Sequence, residues 1–397
     1  MKFDVQRAYD HITQLAFPRA VGSTGEAEAR GYILGQLTTL GLRVVQEPFD
    51  FTLFPAEFLP RLISAVYTGG VIAVCWKGAS QPIFACLLCV TLLLLALALT
   101  RWQRRLEWLY NVGKMQASQN IVATNTPSTG VAFDLILVAH YDSKSQVLPI
   151  VVRGLCYCLA VAGLTGLTLL TLIQLPLKAP LPSPLIWSIG GCICFCLLLL
   201  QFNFTQNRSP GTFDNASGVG VLLELARCLA LKPPADRVRI TFLLPGAEEC
   251  GMAGALRYIQ RHAKAYHPDW TYVINLDGVG GAGKLTLITR YGIPPVVTSK
   301  RLGPAIIARA REIGVDVSEI YSPAGIGYDQ LPIASRGFET VTLSAGGFGG
   351  AALNIHSKRD RIDLINTGSL QQVGDVILHF ARQGYRDAPG RNAEKSV

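Results

Sequence analysis

Four stretches of the chain are apolar almost without interruption, at roughly Leu62–Trp76, Pro82–Thr100, Gly154–Leu175 and Ser183–Phe204. The second carries no charge from Ile83 to Leu99, and about 20 such residues in a helix cross a bilayer. The third and fourth are similar. The first reaches that length only if Phe58–Pro60 join it and Arg61 snorkels to the surface; a buried core helix is its other reading. Short links, Lys77–Gln81 and Pro176–Pro182, join the stretches in pairs. Each pair is a helical hairpin that returns the chain to the side it left, so everything outside the pairs lies on one side of the membrane.

The remainder alternates between two periodicities. Glu26–Leu42 has helical spacing and ends near Gly41, Val44–Phe51 alternates as a strand, and Asn120–Ala123 is a candidate partner for it. Phe133–Ala139, Arg239–Leu244, Thr271–Leu276 and Thr340–Ser344 are short apolar runs of the kind buried in a parallel sheet. Val219–Ala230 and Ala253–His262 are helical between them. The pattern predicts an α/β fold: a mixed, mostly parallel central sheet flanked by helices, interrupted by two inserted transmembrane hairpins. The expected division is a discontinuous polar domain at 1–57, 106–149 and 206–386, hairpins at 58–105 and 150–205, and a disordered tail at 387–397. Without the hairpins about 280 residues remain, an ordinary single-domain length.

Composition strengthens the membrane reading. Half of the 397 residues are hydrophobic and 16% are charged, against about a quarter charged in soluble domains. The net charge is +9, but no basic run carries interleaved aromatics, so no nucleic-acid partner is expected and a lipid bilayer is. Arg61, Arg101, Arg104, Arg105, Lys114, Arg153 and Arg208 sit at the bases of the hairpins, and only Lys77 and Lys178 at the tips. The positive-inside rule then predicts a multi-pass protein of the cell membrane, with four transmembrane helices and its polar domain in the cytoplasm. Eight of the ten cysteines lie in the apolar stretches, which excludes a secreted disulfide framework. Cys192-x-Cys194-x-Cys196 has no His, Asp or Glu near it that would make it a metal cluster. Met1–Asp10 has no apolar core, so no cleavable signal peptide is expected. The sequon at Asn203-Phe204-Thr205 is expected to go unused on the cytoplasmic side.

Polar residues cluster where the apolar strands end. His140-Tyr141-Asp142, Glu248-Glu249, Asp277-Gly278 and His356-Ser357 each follow a strand, and Asp214-Asn215 opens a helix. Ligands of open α/β sheets bind beyond the carboxyl ends of the strands. A two-metal hydrolase needs two imidazoles, one bridging carboxylate, two terminal carboxylates and a free carboxylate to take a proton from the water that becomes the metal-bridging hydroxide. The chain supplies His140, His356, Asp214, Glu249 and Asp277, with Glu248 left over. Adjacent side chains on a loop diverge, so one glutamate can bind metal while its neighbour acts as general base. Singly, each motif has a plainer reading: a solvated Glu-Glu face, an Asp-Asn helix cap, a structural histidine. Five in this order at strand ends are much harder to dismiss.

The set resembles the M28 family of zinc peptidases. The motifs that carry the likeness are His140-x-Asp142, Asp214-Asn215-Ala216-Ser217-Gly218, Glu248-Glu249, Asp277 and His356-Ser357-x-x-Asp360, with Pro18-Arg19-x-x-Gly22-Ser23-x-Gly25-Glu26 near the N-terminus. The resemblance implies a zinc-peptidase/phosphorylase-like three-layer sandwich holding two zinc ions per chain. It also implies that His140, Asp214 and Asp277 bind one zinc and Asp214, Glu249 and His356 the other. Glu248 would be the catalytic base, and Asp142 would orient His140. Three departures stand out. The second hairpin fills a normally short gap, Ile355 replaces a tyrosine that helps stabilise the tetrahedral intermediate, and Tyr328-Asp329-Gln330 replaces Ser-Asp-His, which leaves Asp329 without a role.

The implied activity is that of a membrane-bound aminopeptidase acting on peptides, since surplus carboxylates suit a free amino terminus. The alternatives are a non-catalytic membrane receptor or assembly subunit on the same fold, and a related one-zinc acyltransferase acting on N-terminal glutamine. The second hairpin leaves soon after Asp142 and returns just before Asp214. The bilayer is therefore expected near the site, with the cleft open toward or along its surface.

Overall fold

The structure, a computed structural model, describes residues 1–101, 103–128, 130–177, 182–234, 237–323, 326–346 and 350–383, with 99–101 and 103–105 described by backbone alone. The tail expected at 387–397, the tip residue Lys178 and positions 347–349 of the Gly346–Gly350 loop lie outside the described residues. The chain forms two compact units: Met1–Thr52 with Lys114–Ser145 and Gln206–Val397, and Leu53–Gly113 with Gln146–Thr205.

The first unit is built on a mixed sheet. Its strands are β1 (Arg43–Thr52), β2 (Met115–Asn125), β3 (Phe133–Val138), β4 (Val238–Leu244), β5 (Thr271–Leu276), β6 (Leu285–Tyr291), β7 (Val296–Val297), β8 (Val317–Ser322) and β9 (Glu339–Ser344). The spatial order is β1-β2-β4-β3-β5-β9-β6-β8, with β7 on β6. The four central strands β4, β3, β5 and β9 run parallel, so their carboxyl ends share one edge. That edge is where the polar motifs fall.

Side-chain alternation along these strands feeds two cores, as the period of two requires. Leu135, Leu137, Ile240, Phe242, Tyr272 and Ile274 pack under helices α1 (Val5–Gln14), α2 (Thr24–Thr38), α7 (Ser217–Leu231), α9 (Leu302–Glu312) and α11 (Thr367–Gln383). Ile136, Val138, Leu243 and Val273 meet α8 (Ala253–His262) and Ile333 of α10 (Gln330–Ala334) on the other face. The result is three layers. Helix α2 stops at Thr38, earlier than its apolar spacing predicts, and the chain turns at Gly41, whose φ of 69° lies in the left-handed region.

The second unit is a bundle of α3 (Leu59–Lys77), α4 (Pro82–Arg101), α5 (Ile150–Leu177) and α6 (Ser183–Gln201). Helix α3 packs on α4 and α6, and α5 packs on the same two, which closes a ring. Close approach relies on small residues: a Cβ on Gly190 would lie 2.1 Å from Cys75 Sγ. The interior holds Val71, Cys89, Leu92, Leu167, Ile186 and Ile193, whereas Leu62, Trp76, Leu87, Leu155, Val161, Trp187, Phe195 and Leu198 are exposed. Three helical segments are long and apolar enough to cross a membrane: Phe54–Lys77, Ile150–Leu177 and Ser183–Gln201. The sequence pattern singles out Leu62–Trp76 as the short stretch, but a tight turn at Phe54–Phe58 runs directly into α3 and lengthens it. Helix α4 runs over 20 residues, Pro82–Arg101, the last three described by backbone alone.

Candidate metal centre

Each polar motif reaches the carboxyl edge of the sheet by a short extension. His140 follows β3 by two residues, Glu248 and Glu249 lie on the turn after β4, and Asp277 immediately follows β5. His356 arrives beyond β9 by way of a 3-10 turn at Gly350–Asn354, and Asp214 sits in the tight turn before α7. Two triplets result. His140, Asp214 and Asp277 each bring one donor atom, all within 4.8 Å of one another, and so do Asp214, Glu249 and His356. Asp214 belongs to both: its Oδ1 is 3.3 Å from His140 Nε2 and its Oδ2 is 3.2 Å from His356 Nε2. His356 Nε2 lies 3.1 Å from Glu249 Oε2. Glu248 stands outside both triplets, with Oε2 3.9 Å from His140 Nε2. The five sequence-predicted donors and a fourth carboxylate, Glu248, therefore converge.

The surrounding groups hold this arrangement through the backbone. Asp142 is fully buried, and its two carboxylate oxygens accept the main-chain N–H groups of Glu248 and Glu249, each at 3.1 Å. Its carboxylate is 3.5 Å from His140 Nδ1, while its carbonyl is 3.2 Å away. Asp142 thus fixes the turn that carries the glutamates as well as the imidazole. Asp360, in the last motif, does the same for the opposite loop, accepting from the N–H groups of Phe213 and Asp214. Beside Asp214, Asn215 accepts from Gly218 N–H at the start of α7 and donates to the Leu276 carbonyl at the end of β5. A Cβ on Gly218 would sit 2.4 Å from that carbonyl oxygen. His356 has φ 58°, a conformation that costs a non-glycine residue energy and is concentrated at functional sites.

Two cations contribute that the sequence motifs do not assign. Arg19 is completely buried, and its guanidinium donates to the carbonyls of Leu15, Phe17, Tyr141, Pro210 and Gly211. It ties the loop after β3 to the loop before Asp214. Lys144 Nζ lies 2.9 Å from Glu249 Oε2 and donates to the Glu249 carbonyl at 3.1 Å. The motif Pro18-Arg19 hinted at the first; contacts across more than a hundred residues hid both roles.

Electrostatically the centre is rich in acid. Burial, then Asp214 and Glu249, push Asp277 up to about 7, despite the opposing pull of His140. Burial also holds Glu248 well above the usual carboxylate range. For Glu249 burial acts upward too, but His356 and Lys144 outweigh it and bring the carboxyl to about 2. Burial pulls the His140 imidazole down, yet Glu248, Asp142 and Asp214 together keep it well above its ordinary value. Asp329 is fully buried with neither carboxylate oxygen hydrogen-bonded, and burial raises it strongly. Burial and the carboxylates of Asp277, Asp214 and Glu248 likewise raise the Tyr328 phenol. Buried carboxylates in such number call for bound cations.

The model of peptidase family M28 matches residues 120–381. Aminopeptidase YwaD of Bacillus subtilis is 29% identical over 175 residues, 43% of this chain and 36% of that protein. Endoplasmic reticulum metallopeptidase 1 of Homo sapiens is 28% identical over 177 residues, 43% of this chain and 18% of its own length. The chain thus spans about a third or less of the curated relatives it matches. Among solved structures, the aminopeptidase from Aneurinibacillus sp. strain AM-1 superposes with a TM-score of 0.57 at 17% identity, covering 96% of this chain and 94% of that one. A glutaminyl cyclase of Bacteroides thetaiotaomicron gives a TM-score of 0.54 at 16% identity, covering 96% and 99%. At these identities the structural likeness speaks for the fold.

Proposed function

The chain belongs to peptidase family M28, and from that premise we propose that it is a membrane-bound di-zinc aminopeptidase that removes N-terminal residues from peptides. The observation that carries this reading is the pair of three-donor sets joined through Asp214, with Glu248 left free beside them. The donors suit zinc, which takes imidazole nitrogen and carboxylate oxygen. The buried Oε1 of Glu249, which has no hydrogen-bond partner, supports the fit. His140, Asp214 and Asp277 would hold one ion, and Asp214, Glu249 and His356 the other. Zinc bound there supplies Lewis acidity toward a carbonyl oxygen and acidifies a water at neutral pH.

The chain's own residues do the rest. Glu248 takes the proton of the attacking water on its carboxylate and passes it to the leaving amine, a task for a carboxyl whose burial raises its proton affinity. Asp142, accepting from the main-chain N–H groups of both Glu248 and Glu249, keeps one glutamate turned to the metal and its neighbour to the substrate. Two imidazoles together with Asp277 favour two ions over a one-zinc acyltransferase centre. The three span-length helices and their exposed apolar surface support insertion in a bilayer, with α4, 20 residues from Pro82 to Arg101, as a fourth span. Arg61, Lys114, Arg153 and Arg208, weighed against Lys77 at the far end, favour a cytoplasmic catalytic unit.

The test is purification in detergent, metal analysis, and an aminoacyl-anilide assay with zinc. About two zincs per chain and turnover that falls about 10²–10⁴-fold in Glu248→Gln are expected. A zinc-free, inactive wild type would leave the receptor or assembly-subunit reading in its place.

A further inference from the structure

The two metal positions are not electrostatically equivalent. The ammonium of Lys144 ion-pairs with Glu249 Oε2 at 2.9 Å and is bonded a second time to the same residue's carbonyl, so it is held by two contacts. Its side chain is only 19% exposed, which limits screening by solvent and salt. The carboxylate oxygen it grips is the one 3.1 Å from His356 Nε2. Glu249 therefore shares its charge with a fixed cation before any metal is bound. The other triplet has no such partner: no described lysine or arginine lies within ion-pair distance of Asp214 or Asp277, and Arg19 spends its hydrogen bonds on backbone carbonyls.

We propose that Lys144 is a positioning residue that makes the two zinc positions unequal, weakening the one built from Asp214, Glu249 and His356 relative to the one built from His140, Asp214 and Asp277. The proposal rests on the two-zinc reading above. A neighbour that accepts a hydrogen bond from a ligand raises the ligand's basicity and tightens the metal. An ammonium on a ligand carboxylate acts in the opposite sense: it withdraws charge and repels the incoming dication. The centre would then fill in two steps, the His140 position first.

Competition with a zinc-binding chromophoric chelator, using the full-length protein in detergent, measures both constants without recourse to activity. The wild type is expected to bind two zincs with constants at least about tenfold apart, the scale on which groups behind the ligands act. In Lys144→Met the weaker constant should tighten by about tenfold or more while the stronger stays within about twofold. Lys144→Arg, which keeps the charge, should keep the gap. Two indistinguishable steps in the wild type overturn the proposal without any variant. So does a second site that weakens or stays put in Lys144→Met, because that is what a merely structural prop for Glu249 would give. If the wild type binds fewer than two zincs, the two-zinc reading itself has failed.

Discussion

The two units bury opposite things. The first hides charge: Arg19, Asp142, Asp329 and Asp360 are wholly buried and His140 nearly so. The second buries, among its described polar side chains, only Ser64, Thr168, Thr171 and Gln174, and exposes leucine, phenylalanine and tryptophan instead. A charge is kept away from water only where partners or a metal repay its desolvation, and the carboxyl edge of the sheet is built to do so. Among its described residues the bundle buries no charge, and its apolar surface is of the kind that suits a bilayer, where only the backbone needs internal partners. Equal substitutions in the two units should therefore have very unequal effects.

The largest contrast concerns the shared carboxylate. Asp214→Asn removes a donor from both triplets at once. Groups behind the ligands already cost about 10–100-fold in metal affinity when changed, so about 100-fold is a floor for this loss. Zinc content after dialysis should fall below one per chain. Gln174→Leu, at a buried amide of the bundle, should leave zinc content unchanged. Normal loading of Asp214→Asn would break the comparison.

Next comes the arginine clamp. Arg19→Met strands the carbonyls of Tyr141, Pro210 and Gly211 in the interior, at about 1–3 kcal/mol for each unsatisfied group. Backbone relaxation recovers part of this, and a net loss of about 3 kcal/mol is expected in chemical denaturation followed by intrinsic fluorescence. Arg61 offers the counterpart in the second unit, 4.8 Å over the Phe204 ring, a contact worth about 0.5–1 kcal/mol at an exposed site. If Arg61→Met costs as much as Arg19→Met, burial is not what separates them.

These two arginines also mark how far the sequence could be read. His140, Glu248, Glu249 and Asp277 were legible because each closely follows an apolar strand, such as the fully buried run of β3, and Asp214 because it opens α7; His356, well beyond the end of β9, was legible only through its motif. Arg61 was legible as a hairpin base. Arg19 was visible only as part of a motif, because its partners lie as far as 192 residues away. Helix α1 was missed although Val5, Ala8, Tyr9 and Ile12 stand at helical spacing and pack on the core: four apolar positions in ten residues make only a short stripe. Strand β8 was missed because it is an edge strand exposed along Ser318–Tyr321. Asp142 was expected behind His140, but its bonds to two main-chain N–H groups on another loop could not be read from spacing.

Acidity gives a smaller and graded contrast. Asp277 is raised to about 7, chiefly by burial, and zinc must displace a proton held there below that pH. The protonated form does not bind, and the His140 imidazole, held well above its ordinary value, must also shed its proton, so affinity should fall as pH is lowered, by at least about tenfold per unit below 7. Chelator competition between pH 8 and 6 reads this directly. Over the same range the unfolding midpoint of the bundle should hold still, since none of its described buried residues is acidic, basic or histidine. A zinc affinity flat with pH would mean that Asp277 is already ionised before the metal arrives.

The finest test uses two buried serines. Ser64 Oγ donates at 3.1 Å to the Leu197 carbonyl, which lies within α6 and can keep a backbone partner when the hydroxyl is lost. Such interhelical bonds are worth about 0.6 kcal/mol in a membrane bundle. Ser143 Oγ accepts the Arg19 N–H at 3.0 Å and donates to the Ser209 carbonyl at 3.3 Å. Its loss leaves a buried N–H with no replacement partner, at about 1–3 kcal/mol. Ser143→Ala should therefore cost about 1 kcal/mol more than Ser64→Ala, each measured as a shift in unfolding free energy in mixed micelles. The truncation is chemically identical, so the difference isolates the environment. Equal costs would mean that the two interiors treat an orphaned polar group alike, and that the polar unit's buried network is held by packing and not by its hydrogen bonds.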